Sequence, residues 1–244
     1  MRSIEEPALD SRIVRERCER LLARLRRVAE GSGHDPDALR VVAVTKGFDV
    51  TVARLAVEAG LQRLGENRVQ EALPKVAALP DAEWHLVGHL QSNKVRPAVG
   101  AFSWIHSVDS LPLLRRIDAI AHDDDRRPAL LLQVNLTAES SKSGFDAEWF
   151  AAAARPGREL VSELRGLRFA RVVGLMTIAA LGASDEAARA TFRRLRELRD
   201  DLQDAAGSPL PELSMGMTAD AEAAVAEGAT LVRIGTGLFG PRPR

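Results

Sequence analysis

The stretch "VVAVTKGFDV", residues 41–50, starts as a run of small apolar and β-branched residues and breaks at a lysine followed by glycine. The run reads as a buried strand, 41–46, and the segment behind it, 50–59, as a helix started by Asp49. Of 34 Lys+Arg in the chain, lysine stands only at 46, 75, 94 and 142, so arginine is the default cation and Lys46 departs from it.

Outward from this unit the same strand-then-helix pattern recurs. Further strands are expected at 61–66, 84–90, 104–109, 129–136, 169–176, 212–215 and 230–235. Helix-like segments lie between them at 67–78, 92–99, 110–121, 146–164, 184–205 and 218–227, several with capping residues in place (Ser92, Ser110, Ser184, Thr218). Eight strands alternating with helices point to a single α/β domain, a (β/α)8 TIM barrel, with a doubly wound open sheet as the competing architecture.

Strand eight is followed only by "TGLFGPRPR", too short for a closing helix. An extra amino-terminal helix, 11–30, carries Val14, Cys18, Leu21, Leu25 and Val28 at helical spacing and could take that place in the outer ring. No linker divides the chain; 1–10 and 240–244 read as tails, and "HDDDRRP", 122–128, as a solvated loop.

Hydrophobic residues make up 45% and charged residues 28%, enough for a sizeable core in 244 residues. The formal net charge of +0 gives no electrostatic case for nucleic acid or an anionic membrane. One cysteine, Cys18, forbids an internal disulfide and suits a reducing compartment. The acidic start "MRSIEEPALD" lacks the apolar core of a secretory signal, and no apolar run has the length of a membrane span. A soluble cytoplasmic protein is expected.

Barrel sites form at the carboxyl ends of the strands, where Lys46, Glu66, Asn67, His89, Met176, Ser214, Met215, Gly235 and Thr236 fall. Burial beside Val42 and Val44 would lower the Lys46 pKa and free its amine as a nucleophile, whereas an arginine forms no Schiff base. The alternative is a lysine that caps its strand and reaches out to solvent. Ser214 and Gly216 before one helix start, and Gly235 and Thr236 after the last strand, suit a phosphate. The alternative there is that the glycines only turn the chain. A lysine for an aldehyde and a cup for a phosphate across one barrel mouth suggest pyridoxal 5′-phosphate. Arg233 shares the parity of Gly235 and would face the interior, either near the cofactor's ring nitrogen or paired with a carboxylate.

Two other signals carry less. His85 and His89 have the spacing of a zinc helix but lie on an expected strand, roughly 13 Å apart, too far to share a metal. "SSKSGF", 140–145, with Lys142 and Ser143, is either an anion loop or a plain polar connection.

Taken in order, "VVAVTK", "GENRVQEALPK", "EWHLVGHLQSNK", "LLQVNLTAESSKSGF", "GLMTIAA", "LSMGMTADAEAAVAEG" and "VRIGTGLFG" resemble the pyridoxal phosphate homeostasis proteins over nearly the whole chain. The resemblance implies a barrel similar to the amino-terminal domain of alanine racemase, with the cofactor as an internal aldimine on Lys46. It further implies phosphate contacts from Ser214–Gly216 and Gly235–Thr236, with Asn67 and Arg233 near the ring. Such proteins bind, buffer or deliver the cofactor, are not known for robust catalysis, and are suggested to be monomers. Where family members often have threonine and proline, and many a second lysine, after the attachment lysine, this chain has "KGFD".

Alanine-type racemisation uses a tyrosine as second base, and this chain has none. A carrier that meets cofactor-dependent apoenzymes transiently ranks first and a weak cofactor-dependent enzyme second. A Schiff-base aldolase and a purely structural barrel follow.

Overall fold

The structure, a computed structural model, describes residues 9–137 and 143–242, so the expectation for Ser140, Ser141 and Lys142 lies outside the described residues. The strands are β1 (Arg40–Val44), β2 (Arg63–Glu66), β3 (Glu83–Leu86), β4 (Trp104–Val108) and β5 (Ala129–Asn135). They continue with β6 (Phe145–Asp146), β7 (Arg171–Met176), β8 (Glu212–Met217) and β9 (Leu231–Ile234). Apart from the two-residue β6, which pairs with β5 alone, the strands close through parallel β1–β9 and β4–β5 pairings into an eight-stranded barrel.

Alternation along each strand sorts side chains between two layers. On β1, Val42 and Val44 join Leu131, Met176 and Leu231 inside the barrel, while Val41 and Ala43 join the larger core between strands and helices. Both faces are buried, which is why residues 41–44 are apolar without a polar alternate. The same parity carries past the strand end: Thr45 turns to the helix layer, Lys46 to the mouth.

Helix α1 (Ser11–Gly31) starts at Asp10, whose carboxylate accepts from the Ile13 N–H at 2.8 Å, and buries Val14, Cys18, Leu25 and Ala29. It packs against α9 (Ala221–Ala226), α10 (Thr236–Phe239) and α2 (Val50–Glu58), filling the gap in the ring left after β9. Burial pushes the Cys18 thiol up to about 11, with Glu19 adding to the effect, so the thiol is inert packing.

Asp49, Ser110 and Ser184 cap their helices, but Ser92 starts a single 3-10 turn and Thr218 does not cap α9. The helix expected over 146–164 is two, α6 (Ala147–Ala153) and α7 (Glu159–Gly166). Pro156 lacks the N–H a continuous helix needs, and Gly157 takes a left-handed φ of 74°. Among the described residues no helix is long and apolar enough to cross a membrane.

Candidate functional site

A cavity of about 610 Å³ opens at the carboxyl ends of the strands. Of the residues expected at the site, Lys46, Asn67, Arg233, Gly235 and Thr236 line it. The other four lie elsewhere. Met176 is buried in the barrel interior, and Met215 on the opposite, helix-facing side of β8. Gly216 faces α9: a Cβ there would come within 2.5 Å of the Ala224 Cβ, so the glycine lets the helix close onto the strand. Ser214 is fully buried beneath the pocket floor.

Because β8 runs on to Met217, the residues it delivers to the cavity are Met217, Thr218 and Ala219 rather than Ser214–Gly216. Thr218, expected as a helix cap, accepts instead from the Gly237 N–H and the Thr236 hydroxyl, each at 3.3 Å. Two hydroxyls and the glycine-flanked backbone of 235–237 thus meet in one corner. A Cβ on Gly237 would press to 3.1 Å against both Ile234 and Thr218. Arg242, in the segment expected to be a loose tail, also lines the cavity.

Lys46 Nζ donates to Asn67 Oδ1 at 3.3 Å across the β1–β2 mouth. Its pKa is lowered, first by burial, then by the Arg242 and Arg233 guanidinium groups, against a smaller opposing pull from Glu66. Proximity to two cations favours the neutral, nucleophilic amine. Gly47 explains the departure after the lysine: its φ of 74° is left-handed, and a Cβ would come within 2.9 Å of the Arg242 side chain.

Glu66 does not share the mouth with Asn67. It turns into the helix layer, fully buried, where Lys75 from α3 (Val69–Ala78) donates to its Oε1 at 2.7 Å and Thr45 at 2.6 Å. Lys75 also donates to the Thr45 carbonyl at 3.0 Å, so this buried pair fixes the backbone immediately before Lys46. Glu66 Oε2 is left without a hydrogen-bond partner. Sequence reasoning missed Lys75; its rarity as a lysine in an arginine-rich chain was the available signal.

Arg233 is 5% exposed and faces the cavity from β9, as its parity with Gly235 predicts. It donates to the Ser214 hydroxyl at 2.6 Å and the Thr177 carbonyl at 2.9 Å, and among the described residues no carboxylate pairs with it. Burial lowers its pKa to about 10, against the pull of Asp220, so it stays a cation at neutral pH. On the far wall His89 Nδ1 lies 3.0 Å from Asp109 and 3.3 Å from the Ser143 hydroxyl, a pair that sequence spacing alone did not reveal.

These residues fit pyridoxal 5′-phosphate. An amine with a lowered pKa suits the aldehyde, the Thr218–Thr236–Gly237 corner suits the phosphate, and apolar Val44, Val87 and Ile178 suit a planar ring. A buried arginine with only neutral partners holds charge available to the ring.

The model of the alanine racemase N-terminal domain family matches residues 17–243. The pyridoxal phosphate homeostasis protein of Pseudomonas aeruginosa is 44% identical over 237 residues, covering 94% of this chain and 96% of the relative. The structure of PipY from Synechococcus elongatus PCC7942 with PLP bound superposes with a TM-score of 0.80 at 41% identity, covering 93% of this chain and all of that one. An alanine racemase of Clostridium difficile 630, 16% identical with a TM-score of 0.67, shares the fold over 91% of this chain and 57% of its own. The chain belongs to the alanine racemase N-terminal domain family and, within it, to the pyridoxal phosphate homeostasis proteins.

Proposed function

We propose that the protein binds pyridoxal 5′-phosphate through Lys46 and serves its homeostasis in the cell, holding, buffering and delivering the cofactor without robust catalysis of its own. The observation that carries this reading is Lys46, an amine whose pKa is lowered by burial and two arginines, inside a cavity of matching size and chemistry. When bound, the group would supply an electrophilic aldehyde within reach of the Lys46 amine. Asn67 orients the amine, Thr218, Thr236 and the 235–237 backbone take the phosphate, and Arg233 faces the ring. In this reading residues 1–244 act as one domain and as a cytoplasmic monomer that meets apoenzymes transiently.

The test is the visible absorption spectrum of the purified protein, parent and Lys46→Ala, followed by borohydride reduction and mass mapping. A cofactor band lost in the variant, with a reduced pyridoxyl adduct on Lys46, is expected. A colourless parent that cannot be reconstituted with pyridoxal phosphate overturns the reading.

One observation favours a second reading, a weak cofactor-dependent enzyme. His89, held by Asp109, lines the same cavity as Lys46 and offers the second base that a chain without tyrosine otherwise lacks.

A further inference from the structure

Inside the barrel, below the cavity, four polar side chains run in file toward the opposite end. Ser214 Oγ lies 2.8 Å from His106 Nδ1, His106 Nε2 lies 2.8 Å from His85 Nδ1, and His85 Nε2 lies 2.9 Å from Glu83 Oε1. Ser214, His106 and His85 are fully buried, and Glu83, first residue of β3, is partly exposed at the far rim. At the pocket end, Arg233 Nη1 donates to Ser214.

We propose that Glu83, His85, His106 and Ser214 form a one-way hydrogen-bond chain that positions Arg233 in the pocket floor, with both imidazoles neutral and protonated at Nε2. The direction follows from the chemistry of the ends. A carboxylate only accepts, so His85 must carry its proton on Nε2, and in a neutral ring its Nδ1 is then an acceptor. His106 must therefore donate from Nε2, leaving its Nδ1 to accept the Ser214 O–H. That turns a Ser214 lone pair toward Arg233, whose guanidinium can only donate. Every proton in the file points away from the cavity, toward Glu83.

The competing arrangement has a cationic His85. It would force the His106 proton onto Nδ1, so that the Ser214 oxygen accepts from both His106 and Arg233, and leave the Ser214 O–H with no acceptor in the file. The charges on neighbouring elements oppose it as well. Burial lowers the His85 pKa, and Arg63 and Arg40 lower it further, against the pull of Glu83. Burial, His85 and Arg233 push His106 well below the ordinary histidine value. Glu83 is held ionised chiefly by its hydrogen bond from His85, with Arg63 and Trp104 adding to that. Trp104 also stacks on His85, ring centroids 5.2 Å apart and planes 11° from parallel, which fixes the ring that starts the file.

Glu83, His85, His106 and Ser214 are positioning residues: they act on the cavity through Arg233. The inference depends on the cofactor reading only for what Arg233 faces, because the file belongs to the protein alone. It is tested first without ligand, by long-range proton–nitrogen spectra of protein labelled with nitrogen-15 in histidine. His85 and His106 are expected as neutral Nε2–H rings, unchanged from about pH 5 to 8, where free imidazole titrates. A proton on Nδ1 of either ring, or titration of either within that range, overturns the proposal.

Glu83→Gln keeps the shape but lets position 83 donate, so a second set of His85 and His106 resonances is expected; an unchanged spectrum overturns the directing role. Ser214→Ala should weaken pyridoxal phosphate binding about tenfold, as losing one hydrogen bond to a buried cation implies, and Ser214→Thr should restore it. Parent-like affinity in Ser214→Ala overturns the positioning of Arg233. A parent that binds no cofactor sinks the proposed function instead, while the ligand-free spectra still decide the file.

Discussion

Thr45 and Lys46 are neighbours in the chain whose side chains point to opposite sides of the barrel wall. Thr45 is sealed against Glu66 at 2.6 Å in the helix layer, and Lys46 reaches Asn67 at 3.3 Å in the mouth. Lys46 is therefore aimed by a buried anchor one residue before it, and that anchor is itself held by Lys75.

Breaking the anchor on one side should be costly. Lys75→Met leaves the Glu66 carboxylate buried and uncompensated, with a loss of about 3–5 kcal/mol expected in denaturant unfolding. The double variant Lys75→Met/Glu66→Gln should recover much of it, because the stranded charge is gone. Equal stability of the single and double variants would show that the pair does not act as described.

The depressed Lys46 pKa sets a pH dependence with a definite sign. The amine loses its proton at lower pH than an ordinary lysine, so the rate of attachment should rise with pH and level off earlier than for a free amine. Arg242→Ala removes one cation that disfavours the ammonium form, which raises the Lys46 pKa and moves that rise to higher pH. Stopped-flow absorbance against pH measures both; a midpoint that stays put or falls in the variant contradicts the role of Arg242.

Gly47→Ala tests the turn after the lysine. A side chain at φ 74° costs roughly 1 kcal/mol, and its Cβ meets Arg242 at 2.9 Å, so the arginine must move. Thermal unfolding should show a drop of about 2–4 °C, and the pH profile should shift in the direction of Arg242→Ala. A profile identical to the parent's would mean that Arg242 keeps its place without the glycine.

Much of this was legible in the sequence because it depends on parity and local pattern. The apolar run 41–44 and the alternation of Leu231, Arg233 and Gly235 place Lys46 and Arg233 correctly from spacing alone. The stretch of β8 that reaches the cavity was expected three residues early, at Ser214–Gly216 instead of Met217–Ala219, because Gly216 resembles a strand end. In the fold it continues β8, where the register against β9 shifts between Ser214 and Met217 and Gly216 admits α9. The buried file was not legible, since its inner links, His85 to His106 and His106 to Ser214, join residues distant in sequence. His106 and Ser214, for example, are 108 positions apart.

His89 separates the carrier from the weak enzyme. If its only role is structural, at the rim with Asp109, holoprotein incubated with an amino acid in deuterium oxide should exchange no Cα hydrogen, by proton NMR, beyond free pyridoxal phosphate. His89→Ala should then bind the cofactor like the parent, because the contacts assigned to the ring, phosphate and amine lie on Arg233, Thr218, Thr236 and Asn67. Exchange above that background, abolished in His89→Ala but with cofactor binding intact, would instead identify His89 as the base and make the protein an enzyme. An intermediate case is also readable: exchange that survives in His89→Ala assigns the base to Lys46 alone, and a single base on one face of the ring exchanges hydrogen without efficient racemisation.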